Sequence, residues 1–129
     1  MVNGIQFQLE QLFANLIGNS LKYIREGVQP QIKIVSSVIN GKNDSLETLL
    51  PNINYVKLQF IDNGIGFEKK YQDKIFEIFQ RLHGKTEFTG TGLGLSICKK
   101  IVQSHNGAIH AEGEINKGAE FTVYLPTLL

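Results

Sequence analysis

A chain of 129 residues, 42% of them apolar, is long enough to bury one core and short enough to be one domain, read here as residues 1–129. Thirteen Lys and Arg against twelve Asp and Glu leave a net charge of +1, with no like-charge run to track a polyanion, so charge gives no reason to expect nucleic acid as a partner. No apolar run approaches the roughly 18 to 20 residues that span a bilayer, so direct membrane contact is not expected, and the single cysteine, Cys98, suits a small buried thiol in a reducing compartment.

In chain order, Leu9, Leu12, Phe13, Leu16, Ile17, Leu21 and Ile24 recur at intervals of three and four, which predicts an amphipathic helix closed near Gly27. Ile32, Ile34 and Val38 alternate with polar neighbours, as do Val56, Leu58 and Phe60, predicting two half-buried strands around a long hairpin loop from Asn40 to Asn54. A second helical pattern holds Ile75, Phe76, Ile78 and Phe79. A third runs from about Leu95 through Cys98, Ile101 and Val102 to a stop at Asn106-Gly107. Between them lies a stretch rich in glycine and threonine. Residues Ile109 to Glu114, the turn Asn116-Lys117-Gly118 and then Phe121, Val123 and Leu125 read as a closing hairpin. Pairs of strands separated from helices in this way predict an α+β sandwich, with about three helices on one face of a mixed sheet.

Three places could carry chemistry. Asn15, Asn19 and Lys22 stand four and three apart, so two amides and an ammonium share one edge of the first helix, a set suited to a hard divalent cation and a polyphosphate. Asp62-Asn63-Gly64-Ile65-Gly66 follows a strand, where a carboxylate can accept from an exocyclic amine and two glycines let a flat ring approach the backbone; an ordinary Asx turn would show the same letters. Gly90-Thr91-Gly92-Leu93-Gly94 opens the third helix, whose free N–H groups and dipole make a phosphate seat. Its glycines run G-x-G-x-G after a loop, unlike a dinucleotide fingerprint, and Gly84-Lys85-Thr86 lacks the first glycine of a P-loop. His83, His105 and His110 have no metal-ligand spacing with Cys98 or a carboxylate. Phe7, Phe13, Phe60, Phe76, Phe79 and Phe121 fall on apolar stripes, where core packing outweighs base stacking.

Taken in order, Asn15 to Tyr23, Asp62 to Phe67, Lys74 to Phe79 and Gly90 to Leu95 resemble the four nucleotide boxes of sensor histidine kinases, and Gly118 to Thr122 resembles the family's last glycine box. The likeness runs from about Leu9 to Pro126. It implies the Bergerat ATP-binding fold, shared with type II topoisomerases, MutL-type repair proteins and the large heat-shock chaperone ATPase. Carried over, Asn19 with Asn15 would hold Mg2+, Lys22 and Tyr23 would reach the phosphates and the ribose edge, and Asp62 would take the adenine amine of ATP beside Gly64 and Gly66. Arg81 would reach the terminal phosphate, and Gly90, Thr91, Gly92, Leu93 and Gly94 would meet the phosphates beneath a lid running from Arg81 to Thr91. Phe79 to Gly84 is similar to the corresponding string of phytochrome-like and hybrid sensor kinases.

The resemblance implies phosphoryl transfer to a histidine on a separate helical hairpin, the dimerisation and phosphoacceptor domain, with a response-regulator receiver domain as the downstream partner. Neither is expected within this chain. The isolated domain is expected to be a cytoplasmic monomer and its parent a homodimer, membrane-anchored or not. ATP-hydrolysing relatives carry a glutamate at the position of Asn15, and an amide cannot activate water in its place, which favours transfer over hydrolysis. The alternatives are a degenerate nucleotide-binding or regulatory module, an ATPase of the gyrase or chaperone type, or a serine kinase of the same fold. Departures from the family pattern are Ser20 for the usual alanine, Phe67 for an aliphatic residue, Asn106 for a glycine and Ala119 for a small hydroxyl. The strand that often precedes the first helix is barely represented, so Met1 is read as the edge of a fragment.

Overall fold

The computed structural model describes residues 5–44, 46, 49–72, 75–76 and 94–127. Helix α1 (Gln6–Lys22) is followed by strands β1 (Ile32–Asn40) and β2 (Asn54–Asp62), helix α2 (Gly94–Ser104), and strands β3 (Ala108–Glu114) and β4 (Gly118–Thr127). The strands form one sheet in the order β1-β2-β4-β3.

The helices cover one face of that sheet. Leu12 and Leu16 from α1 and Cys98 and Val102 from α2 meet Phe121, Val123 and Leu125 of β4, all buried, while Phe60 of β2 lies 6.0 Å from Phe13, ring centre to ring centre. Residues opposite each other in an antiparallel pair share a face, so the register Phe60↔Phe121↔Ala111 marks one inner row across three strands. Helix α1 has no side-chain N-cap; the N–H of Ile5 donates instead to Nε2 of His105, at the far end of α2. A second, smaller cluster of Leu49, Tyr55 and Tyr124 lies on the other face, where the stretch between β1 and β2 folds over the sheet. There Asp44 is clamped by Lys57 Nζ at 3.0 Å and by the Tyr124 hydroxyl at 3.1 Å. Burial pushes the Asp44 carboxyl up, but those two donors and the Leu46 N–H outweigh it and hold it below the usual carboxylate range.

Three expectations change. The described pairings are all antiparallel rather than mixed: β2 and β3 run the same way, but the β3–β4 hairpin inserts β4 between them, so no parallel neighbours meet. Helix α1 stops at Lys22, not near Gly27, because Tyr23 leaves helical geometry (φ −103°, ψ 53°) and gives its carbonyl to the N–H of Ile65; Leu21 and Ile24 are exposed in consequence. Ile34 and Val38 face the helical side but stay half exposed or more, since β1 is an edge strand beyond the helices' cover. The long hairpin loop from Asn40 to Asn54 stands as expected, joining the antiparallel β1 and β2, and it carries the 3-10 turn Gly41–Asn43 and contributes Leu49 to the second buried cluster. Of the expected second helix, Ile75 and Phe76 are described, helical and buried, with Phe76 6.1 Å from Phe121; its remainder lies outside the described residues.

Gly113 of β3 shows how tightly the inner face is filled. A Cβ there would stand 2.7 Å from the buried Phe67 ring, which itself packs 6.4 Å from Phe121. Gly113→Ala should therefore destabilise the fold by about 1–3 kcal/mol in denaturant unfolding, as overpacking does, and Phe67→Leu on the same chain should recover part of the loss; simple additivity of the two would contradict the contact.

Candidate functional site

Strand β2 delivers Asp62 to a corner where three elements meet. Its Oδ1 accepts the N–H of Gly64 at 2.9 Å, closing a tight turn, and its Oδ2 accepts the hydroxyl of Ser20, on α1, also at 2.9 Å. The loop after it is tied on both sides: Ile65 donates to the Tyr23 carbonyl at 2.9 Å and accepts from the N–H of Asn116 at 2.9 Å, in the β3–β4 turn. Side-chain substitution is closed off here by backbone. A Cβ on Gly64 would strike the Tyr23 carbonyl, and Gly66, at φ +67°, would strike that of Glu114. Arg25 adds a clamp, donating from Nε to the Asn63 carbonyl at 2.8 Å and from its terminal nitrogen to the Asn116 carbonyl. Asn63 points away, accepting from the Gln31 N–H and donating to the Gln29 carbonyl, which separates its task from that of Asp62.

The two helices run antiparallel, and the register can be read from their contacts. Ile5 meets His105, Gln8 meets Ser104, and the Cys98 thiol points at the Leu12 carbonyl, 3.8 Å away. Continuing that register brings the Gly94 end of α2 beside the stretch of α1 that holds Asn15 and Asn19. The Asn15 side-chain nitrogen is buried and lacks a hydrogen-bond partner among the described residues. A buried donor without an acceptor is costly, and a phosphate oxygen or a metal-bound ligand would satisfy this amide; the donor set accordingly fits a polyphosphate with its cation. No cluster of three or more His, Cys, Asp or Glu suited to a metal occurs among the described residues.

Asn19, Tyr23, Asp62, Ile65, Gly66, Phe67, Ala119 and Phe121 wall a cavity of about 10 Å³, room for one water, and a ring enters only as those walls part. Larger hollows lie elsewhere, about 340 Å³ on the β3–β4 side of Asp62 and about 420 Å³ at the opposite end of the sheet around His105 and Pro126; neither gathers the amides. Burial raises the pKa of the Tyr23 hydroxyl. Lys22 ends α1, with its side chain outside the described residues, as are Arg81, Gly90, Thr91, Gly92, Leu93, His83 and the segment read as a lid. His105 is held between two backbone groups, the Ile5 N–H at its Nε2 and the Ile101 carbonyl at its Nδ1, and His110 lies beside Glu112 on the outer face; neither reaches Asp62. Ser20 and Arg25 were not predicted as site residues. Ser20 had a signal, a hydroxyl continuing the Leu12–Leu16 row at i+4 on the buried stripe, whereas Arg25, past the helix end, had none.

The sequence pattern of histidine kinase-, DNA gyrase B- and HSP90-like ATPases matches residues 4–129. The chain belongs to that family. Its fold is that of the family's histidine kinase catalytic domains: it superposes on the catalytic domain of histidine kinase ThkA with a TM-score of 0.67 at 28% identity, covering 97% of this chain and 70% of that one. It is also similar to ShkA, solved in complex with AMPPNP, at 28% identity and TM-score 0.67, over 92% of this chain and 21% of that one. Cyanobacterial phytochrome A of Nostoc sp. is 42% identical over 119 residues, 92% of this chain, and the chain spans 14% of that protein's length. The resemblance to sensor histidine kinases and to phytochromes is therefore supported at family level. No helix among the described residues is long and apolar enough to cross a membrane.

Two outcomes test this geometry. Burial pushes the Cys98 thiol up to about 12, with the neighbouring Asn15 amide pulling it down less strongly, so the folded domain should react with iodoacetamide at pH 8 only as fast as it opens; alkylation at the rate of a free thiol would place Cys98 at the surface. Asp62→Asn exchanges an acceptor for a donor and should weaken adenine nucleotides by about 1–3 kcal/mol in calorimetry, while tripolyphosphate competition stays level. An unaltered choice between ATP and GTP would remove Asp62 from base recognition.

Proposed function

We propose that this domain binds ATP with Mg2+ and transfers the terminal phosphoryl group to a histidine on a separate helical hairpin, as the catalytic domain of a two-component sensor kinase. The observation that carries the reading is Asn15: an amide rather than a carboxylate, on the edge of α1 shared with Asn19 and level with the N-terminus of α2. Asn19, with Asn15, would hold the cation, which neutralises phosphate charge when bound. Lys22 and Tyr23 sit where α1 meets the loop, on the side of the phosphates and ribose, and Arg81 is assigned the terminal phosphate. Asp62 accepts from the adenine amine.

The chemistry asks little covalent work of these groups. A nitrogen of the acceptor imidazole attacks the γ-phosphorus; the N–P bond forms as the bond to the β–γ bridging oxygen breaks, and ADP leaves. Catalysis lies in holding the nucleotide in line with the acceptor and in neutralising charge. An ATPase reading needs a base for water, which an amide does not supply. The relatives' far greater length supports partner domains, namely the histidine hairpin and a receiver domain downstream.

Radiolabelled ATP and one gel test this. The domain alone should show neither self-labelling nor steady phosphate release, since His105 and His110 lie on a helix end and the outer sheet face. Adding the histidine hairpin in trans should place acid-labile label on that hairpin, weakly, because a bimolecular encounter lacks a tether's effective concentration. Brisk hydrolysis without the hairpin would point to an ATPase.

A further inference from the structure

A serine in a helix interior has an acceptor at hand in the carbonyl four residues back. Ser20, only 4% exposed and four residues past Leu16, instead sends its hydroxyl across to Asp62 Oδ2, 42 residues away in sequence and 2.9 Å in space. With Oδ1 committed to the Gly64 N–H, the carboxylate is gripped from two elements at once, one donor from α1 and one from its own loop. Remove the hydroxyl and a single anchor remains, leaving the carboxylate free to turn about its last torsion.

Resting on the adenine-nucleotide reading above, we propose that Ser20 is a positioning residue that aims the Asp62 carboxylate and thereby sets the preference for a 6-aminopurine over a 6-oxopurine. The hydroxyl hydrogen is spent on Oδ2, so Ser20 Oγ and the carboxylate present only lone pairs along this wall. An amino group brings hydrogens to those lone pairs. A 6-oxo group brings a third acceptor, and serving it requires the Ser20 hydroxyl to abandon Asp62, leaving a buried acceptor short of a donor. Of the neighbouring walls, Gly66 and Ala119 bring no polar side chain and Phe67 and Phe121 supply apolar surface, while Asn19 and Tyr23 line the α1 side of the same cavity.

Calorimetric titration of ATP, GTP and tripolyphosphate, each with Mg2+, into the wild-type domain, Ser20→Ala and the near-isosteric Ser20→Cys tests the proposal. Alanine favours helix and removes only the oxygen, and a thiol is a weak donor, so both variants keep the packing while losing the grip. ATP affinity should fall about three- to tenfold in both, the scale of one hydrogen bond, with GTP and tripolyphosphate within about twofold of wild type. An unchanged ATP-to-GTP ratio, or a parallel loss of both nucleotides, overturns the role of Ser20. Failure of the wild-type domain to bind Mg·ATP at all sinks the nucleotide reading itself, a separate outcome visible before any variant is made.

Discussion

Everything near the site depends on the backbone passing within contact of itself at the end of β2. The Asp62 carbonyl occupies the space where Gly118 would carry a Cβ, with Gly118 at φ +127°, and the Tyr23 and Glu114 carbonyls crowd Gly64 and Gly66 in the same way. Three chain segments therefore cross with no side chains between them, and the hydrogen bonds Ile65 to Tyr23 and Asn116 to Ile65 become possible. A side chain at any of these glycines would hold the segments apart by more than a hydrogen bond tolerates. The consequence is chemical. Asp62 is brought to a fixed corner as a carboxylate with both oxygens assigned, beside Asn19 and Tyr23 of the α1 side and a wall of apolar groups and glycine.

The second dependence is the antiparallel docking of α1 on α2. Burial of Leu12, Leu16, Cys98 and Val102 against the central strand β4 holds the pair to the sheet. The same docking sets the lengthwise register, since Cys98 sits against Leu12 one turn from the start of α2. Because side chains three and four apart share a face, the buried row Leu12–Leu16–Ser20 and the polar edge Asn15–Asn19 turn together. One helix thus carries both the amides and the hydroxyl that grips Asp62, and neither can shift without the other.

The polar letters of this site were legible because each obeys a local rule: amides at helical spacing, a carboxylate after a strand, glycines at a helix start. Strand pairing was legible from alternation for β2, β3 and β4. What escaped depends on position in the whole sheet. Ile34 and Val38 carry the same alternation as a half-buried strand yet lie at an edge that the helices do not reach, and period alone does not number the strands. The end of α1 was misread for a related reason: Leu21 and Ile24 continue the apolar period, but the Tyr23 carbonyl is taken by a loop forty residues on, a long-range bond that outweighs local propensity. Ser20 and Arg25 belong to the same class, since their partners, Asp62, Asn63 and Asn116, become neighbours only once the sheet has formed.

This division bears on how the domain works. The base corner is built from interactions that saturate one another: Asp62 with Ser20 and Gly64, Asn63 with Gln29 and Gln31, Arg25 with two carbonyls. Such a network is stiff, and stiffness suits recognition of a flat ring by a few directed bonds. Little more than one turn back, in the middle of α1, Asn15 keeps a buried nitrogen without a partner among the described residues. An amide held in reserve costs stability in the free protein and is satisfied when a ligand supplies the acceptor, so the penalty becomes differential affinity for the occupied state. One helix therefore joins a corner whose hydrogen bonds are completed to a buried amide whose bond is not.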